Sequence, residues 1–198
     1  MKRHLLATII LITFFLINCG NTITSPKQDF FGFGMNGLAV ITGNTVNFFN
    51  ADNNWEEVVE LEFNLPSGHK SVFTMAITGL AVITGNTVNF FGFDEGSNTW
   101  NEMSNLKFNL PSGYKSVFSI GITGLAVVTD NTINFFGFDE RSNTWNEMSD
   151  LEFNLPSGYK SVFSIGTTGL AVVIGNTIKF FDGNNNWIEI SDLEFTVN

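Results

Sequence analysis

Repetition is the feature that most constrains this chain. The segment GLAVIT or GLAVV begins at Gly37, Gly79, Gly124 and Gly169, at spacings of 42, 45 and 45 residues. Trp55, Trp100, Trp145 and Trp187 recur in the same phase. The two middle units, 79–123 and 124–168, differ at only seven of 45 positions. A chain made of such copies does not build one irregular core. Each unit must bury its apolar surface against its neighbour.

One unit reads as four strands. The first is predicted over 115–120. The second, over 124–128, is apolar on both faces, as a strand lying between two packed sheets must be. Gly43-Asn44, Gly85-Asn86, Asp130-Asn131 and Gly175-Asn176 then supply a two-residue hairpin turn. A third strand follows over 131–136. After a polar loop, a fourth begins near Trp145 and runs towards Phe153. Leu155-Pro156-Ser157-Gly158 has the residues a type I turn prefers and returns the chain to the next unit. Composition agrees. The chain has 22 Phe, 43% hydrophobic and only 14% charged residues, which favours strands and a substantial core over disorder.

Residues 29–33 align with a first strand and 187–195 with a last fourth strand, so four complete sets are expected. Their phase suggests a closed ring. A period of 42 to 45 with four strands and one Trp resembles a propeller blade. The run Phe135-Phe136-Gly137-Phe138-Asp139-Glu140-Arg141-Ser142-Asn143-Thr144-Trp145 resembles the third-to-fourth-strand passage of kelch-type blades. The kelch glycine pair and the WD40 signature are absent. In repeat number and Phe-Phe content the chain is similar to the hemopexin-like family. That family closes its ring with a disulfide, which one cysteine does not permit, so closure here would rest on packing. The expected fold is all-β: a small β-propeller of four four-stranded blades over 28–198, with units near 28–69, 70–114, 115–159 and 160–198. The alternative is a β-solenoid or stacked-sheet array.

The N-terminus reads as an export leader, 1–18. Lys2, Arg3 and His4 precede an apolar run, 5–17, that is too short for a comfortable membrane span. Leu16-Ile17-Asn18-Cys19 resembles the lipobox of bacterial lipoproteins. That resemblance implies acylation of Cys19, a lipidated tether over 19–27, and a cell-envelope location on a bacterial membrane. Loss of Lys2 and Arg3 with the leader takes nine basic residues to seven against 19 acidic, so the formal charge moves from −10 to −12. Nucleic acid is disfavoured as a partner, because phosphate binding needs a basic footprint. A polybasic lipid-binding patch is equally absent, leaving the lipid as the link to the membrane.

Catalytic chemistry finds little support. His69 is the one histidine beyond the leader, and it takes the place of Tyr114 and Tyr159 in later units. No Ser-His-Asp arrangement surrounds it, and Ser116 and Ser161 are repeat residues without a base in their unit. One His and no free Cys leave no soft metal set, so neither metal nor other cofactor is expected. Asp94-Glu95 and Asp139-Glu140 occupy equivalent loops, with Asp52 and Asp182 in the shorter loops of the outer units. These loops are candidate binding elements for a cationic partner or calcium, although none follows a calcium-loop pattern. Otherwise they are solvated turns. Glu60, Glu62, Glu102, Glu147, Asp150, Glu152, Glu189 and Glu194 fall on fourth strands, where charge protects an open sheet edge. One Trp per unit, with Asn47, Asn89 and Asn134 on the third strand, would suit a lectin; packing between blades is the plainer role for the Trp.

Copied units suit multivalent binding better than catalysis, which needs different groups in assigned roles. The expected function is therefore that of a noncatalytic, membrane-anchored lipoprotein that binds a protein or other macromolecule, or alternatively a glycan. The anchor is directly testable. Mass spectrometry of the mature protein should find Cys19 acylated and N-terminal, and Cys19→Ser should move the protein from the detergent phase to soluble or uncleaved forms. An unmodified Cys19 would refute the anchor.

Overall fold

The computed structural model describes residues 30–34, 36–76 and 79–196. The expected leader, Cys19 and the tether lie outside the described residues. The chain is all-β and forms four antiparallel blades of a β-propeller. In the third blade β11 (Tyr114–Ile120), β12 (Gly124–Thr129) and β13 (Thr132–Asp139) are adjacent in that order, and β14 (Thr144–Glu147) and β15 (Phe153–Asn154) both pair with β13. The second blade repeats this with β6 (His69–Met75), β7 (Gly79–Thr84), β8 (Thr87–Asp94), β9 (Thr99–Glu102) and β10 (Phe108–Asn109). The first comprises β1 (Phe30–Phe33), β2 (Gly37–Thr42), β3 (Thr45–Asn50), β4 (Glu56–Glu57) and β5 (Phe63–Asn64). The fourth comprises β16 (Tyr159–Ile165), β17 (Gly169–Ile174), β18 (Thr177–Asp182), β19 (Ile188–Glu189) and β20 (Phe195–Thr196).

The three inner strands of each blade follow the sequence reading closely. In the middle units the third strand is longer than expected, because Phe138 and Asp139 continue to pair, with Trp145 and Thr144. The fourth strand departs more. It is broken into two pieces by a 3-10 turn, Ser149–Leu151 in blade 3. Met148 N–H still donates to Phe135 O at 2.7 Å, and Leu151 N–H folds back onto Met148 O at 2.9 Å. The break frees the Leu151 carbonyl from the ladder and turns it towards the next blade. A sequence pattern cannot display this, because the residues of the turn are ordinary strand and loop residues.

The hairpin turns behave as their Gly-Asn sequences require. Gly43, Gly85 and Gly175 take positive φ near 60°, and Asp130 takes 52° in the third unit. A left-handed first residue matches the twist of the flanking strands. The following asparagine ties down the end of the unit: Leu65, Leu110 and Leu155 N–H donate to the carbonyls of Asn44, Asn86 and Asn131 at 2.8, 2.9 and 2.7 Å.

Burial lies between blades rather than in one core. Leu80 and Val82 of blade 2 join Val46, Phe48, Phe63 and Leu65 of blade 1. Leu125 and Val127 of blade 3 join Val88, Phe90, Phe108 and Leu110 of blade 2. Leu170 and Val172 of blade 4 join Ile133, Phe135, Phe153 and Leu155 of blade 3. Each interface is clasped by a tryptophan. Trp100, Trp145 and Trp187 stack on Phe48, Phe90 and Phe135 with ring centroids 5.6, 5.4 and 4.9 Å apart. Their indole N–H groups donate to Leu61, Leu106 and Leu151 carbonyls at 2.8, 2.7 and 2.7 Å. Those carbonyls belong to the 3-10 turns that break the fourth strands. A buried hydrogen bond of this kind contributes about 1 kcal/mol and a stacked aromatic pair about 0.5–1.5 kcal/mol beyond area burial.

Strained backbone appears where one copy departs from the others. The turn between first and second strands holds Gly34, Gly121 and Gly166 at φ of 64°, 62° and 60°. Blade 2 has Ala76 there, at φ 57°. A Cβ in this region costs about 1–2 kcal/mol. Ala76→Gly should therefore raise the unfolding free energy by about 1 kcal/mol in urea titrations, despite glycine's greater freedom in the unfolded chain. A loss of stability would contradict the assigned strain.

Candidate binding face

Two kinds of connection share one end of every blade: the turn from first to second strand and the loop from third to fourth. They are stitched together by backbone hydrogen bonds, from Ala51 N–H to Asn36 O (2.9 Å), Phe138 N–H to Thr123 O (3.2 Å) and Gly183 N–H to Thr168 O (2.9 Å). All the acidic loop residues singled out in the sequence fall at this end. The opposite end carries the Gly-Asn hairpins and the Pro-Ser-Gly turns.

Between blades 3 and 4 this end opens into a cleft of about 290 Å³. Ile120, Ile122, Phe135, Met148, Leu151 and Trp187 give it apolar walls, and Thr123, Thr167, Thr168 and Asn184 supply polar groups. Its position follows from a loop difference. Phe93 and Phe138 each lie against their own blade's tryptophan, with centroids 5.3 Å apart. The shorter loop of blade 4 carries Gly183 at that place, and Trp187 lies directly over it. A Cβ on Gly183 would meet the indole at 2.8 Å. The ring that would cover the cleft is missing, and Ile122 at its mouth is 62% exposed.

The acidic loops are strongly self-organised. Asp94 accepts from Gly96 N–H at 2.9 Å and from the Ser97 hydroxyl at 2.7 Å. Asp139 accepts from Arg141 N–H at 2.9 Å and from Ser142 at 2.8 Å. These hydrogen bonds, the serine hydroxyl's first and the backbone N–H's next, hold both carboxyls below the usual aspartate pKa. Asp182 caps the next turn by accepting from Asn184 N–H at 2.9 Å. Asp52 accepts from Asn36 Nδ2 at 3.2 Å on both oxygens. The four aspartates are thus turn-builders, whereas Glu95 and Glu140 beside them are exposed. Among the described residues no three His, Cys, Asp or Glu side chains converge as a metal set.

The remaining sequence candidates are engaged in structure. His69 Nδ1 lies 3.2 Å from Pro66 O, within its own turn. Three of the four tryptophans are clasped between blades, each with one face stacked on a Phe of the preceding blade. Asn47 and Asn134 donate across the hairpin to Thr42 and Thr129 at 3.4 and 3.0 Å. In the fourth unit Ile174 and Lys179 replace that Thr–Asn pair. Lys179 instead meets Glu189 at 2.9 Å and Glu194 at 3.9 Å. The hydrogen bond to Glu189 raises its pKa first, aided by the charges of both carboxylates. The fourth-strand carboxylates are exposed on the blade edges, apart from the half-buried Glu189. Sequence reading missed the cleft. Its signals were present in two aligned differences, Gly183 for Phe138 and Ile122 for Thr167.

No known family description matches the sequence, and no curated protein does. Solved structures do match in fold. Kluyveromyces lactis Hsv2 superposes with a TM-score of 0.52 at 14% identity, covering 85% of this chain and 63% of that one. Hsv2 of Kluyveromyces marxianus gives 0.51 at 14%, covering 86% and 65%. This chain therefore spans about two thirds of their length. The likeness is to the propeller fold.

The loop aspartates make a pH prediction. A carboxyl with a lowered folded-state pKa contributes stability that is present above its unfolded value and is lost as pH falls through the folded value. Carboxyl-carbon NMR titration should place the Asp94 and Asp139 midpoints below the ordinary aspartate value. The 94–99 and 139–144 loops should lose amide protection across that acid window. An Asp139 midpoint at or above the ordinary aspartate value would remove the turn network from the account.

Proposed function

We propose that this chain is a noncatalytic, lipid-anchored envelope protein whose loop-bearing end binds a basic protein segment. The observation that carries this reading is the apolar cleft between blades 3 and 4, which opens at the end of the blades that also carries the acidic loops, with Glu95 and Glu140 exposed. An apolar cavity of this size with a few polar groups takes one or two side chains. The surrounding acidity selects a cationic partner and speeds its encounter. A glycan is the weaker reading, because the repeated Trp and Asn that would serve it are spent on packing and cross-strand bonds. The tether, with Cys19 acylated, would hold the propeller within about 30 Å of its membrane.

The experiment uses the soluble form 21–198 to capture partners from an envelope extract, alongside Ile122→Glu and the pair Glu95→Gln, Glu140→Gln. A specific partner should be lost with Ile122→Glu, weakened about tenfold by the glutamine pair, and released as salt rises from about 0.05 M to about 0.5 M. Capture indifferent to all three changes would place binding elsewhere on the protein. Binding on a glycan array in place of protein capture would favour the lectin reading.

A further inference from the structure

The three internal interfaces leave two faces unmatched. Each blade presents a leading face, carrying its tryptophan and the Leu and Val of its second strand, and a trailing face, carrying the 3-10 turn leucine and the following Phe. Internally both are covered. Leu80, Val82, Leu125, Val127, Leu170 and Val172 are no more than 1% exposed, and Phe63, Phe108 and Phe153 no more than 8%. On blade 1's leading face Leu38 and Val40 are only half-buried and Trp55 is 54% exposed. On blade 4's trailing face Leu193 is 54% exposed and Phe195 41%. The apolar cluster around Ala171, Val173 and Ile178 contains residues of blade 4 alone. Of the nine large apolar side chains that are exposed among the described residues, six lie on the first and last blades, so the exposure is concentrated at the ends.

Four blades turning a quarter-circle each would have brought these two faces together. Their exposure means that the step between blades is smaller and the arc has room for more. We infer that the occupant is a second copy of this chain, docked head to tail at both ends so that two four-blade arcs complete one ring. The argument for that occupant is complementarity already realised three times. Trp55 is the equivalent of Trp100, Trp145 and Trp187, and Leu193 of their acceptors Leu61, Leu106 and Leu151. A surface that fits Trp55 is therefore written into this chain, at its own other end. Two copies related by a twofold axis are the smallest closed set that satisfies both ends at once, whereas a head-to-tail rotation that does not close gives a filament. This proposal goes beyond the binding function and stands without it.

The test is cross-linking by mixture, in full-length protein with Cys19→Ser so that no native thiol remains. Asn105 Nδ2 donates to Asn143 Oδ1 at 3.1 Å across the interface of blades 2 and 3. The equivalent positions on the free faces are Asp192 and Asn53. Asn53→Cys protein mixed with Asp192→Cys protein should give a disulfide-linked heterodimer, and light scattering should report twice the chain mass. Trp55→Ala should raise the dimer dissociation constant about 30-fold per interface, about a thousandfold for a ring that has two. Leu193→Glu, on the opposite face, should do the same if Trp55→Ala lowers folding yield. The proposal is overturned by a monomer that forms no cross-link. It is equally overturned by an intrachain disulfide when both cysteines are in one chain, by species growing beyond two copies, or by a dimer that tolerates both substitutions.

Discussion

Everything in this molecule depends on the clasp between a tryptophan and the broken fourth strand of the preceding blade. An isolated blade is a thin sheet with two apolar faces and cannot bury either by itself. The Trp fills the space between two blades, stacks on the first Phe of the Phe-Phe pair, and satisfies its N–H on a leucine carbonyl. That carbonyl is available only because a 3-10 turn removes it from its ladder. The interruption of the fourth strand is thus the acceptor half of the interface. It explains why the turn Leu and the Phe two residues on recur in every unit.

The same dependence explains what was legible in the sequence. Strand order, hairpins and blade number follow from the GLAV segments, the Gly-Asn turns and the phase of the tryptophans, because each is a local signal repeated four times. The broken fourth strand was not legible. Met148 to Leu151 carry no Pro or Gly, so their residue types do not mark the turn, although the same turn recurs at Ser191–Leu193. Ring closure was read from the phase of the ends, but phase counts strands and says nothing about the angle between blades. That angle is set by side-chain volume within each interface, which a repeat pattern does not encode.

The candidate site was partly legible. The acidic loops were found by composition, and their placement at one end follows from strand alternation. Their chemistry was read less well. Asp94, Asp139 and Asp182 spend their oxygens on backbone and serine donors of their own turns, the ordinary use of aspartate at such positions. The asparagine series was likewise a structural pair, and the fourth unit shows it. There the Thr and the Asn change together, to Ile174 and Lys179, and an ion pair to Glu189 takes over from the hydrogen bond. Blade 2 shows the other limit. Thr84 Oγ1 is buried without a partner, so the pair is retained in sequence where its bond is not made.

Near-identical units pose a problem for any protein that must recognise something specific, since copied blades offer copied surfaces. The cleft shows how the difficulty is met. Phe93 and Phe138 cover their own tryptophans, and a propeller repeating that arrangement would have a sealed loop end. A single shortened loop removes the ring at Gly183 and leaves Trp187, Phe135 and Met148 lining an opening. The change in the strands is confined to the end of the ladder, where the third strand stops at Asp182 and the two outermost pairs of the middle blades are lost. The interfaces therefore hold the repeat constant, while the loops beyond the last ladder pair are free to differ. Specificity in this fold is to be sought where a copy is imperfect, and Gly183, in place of the Phe of the middle units, leaves a cleft between two clasped blades.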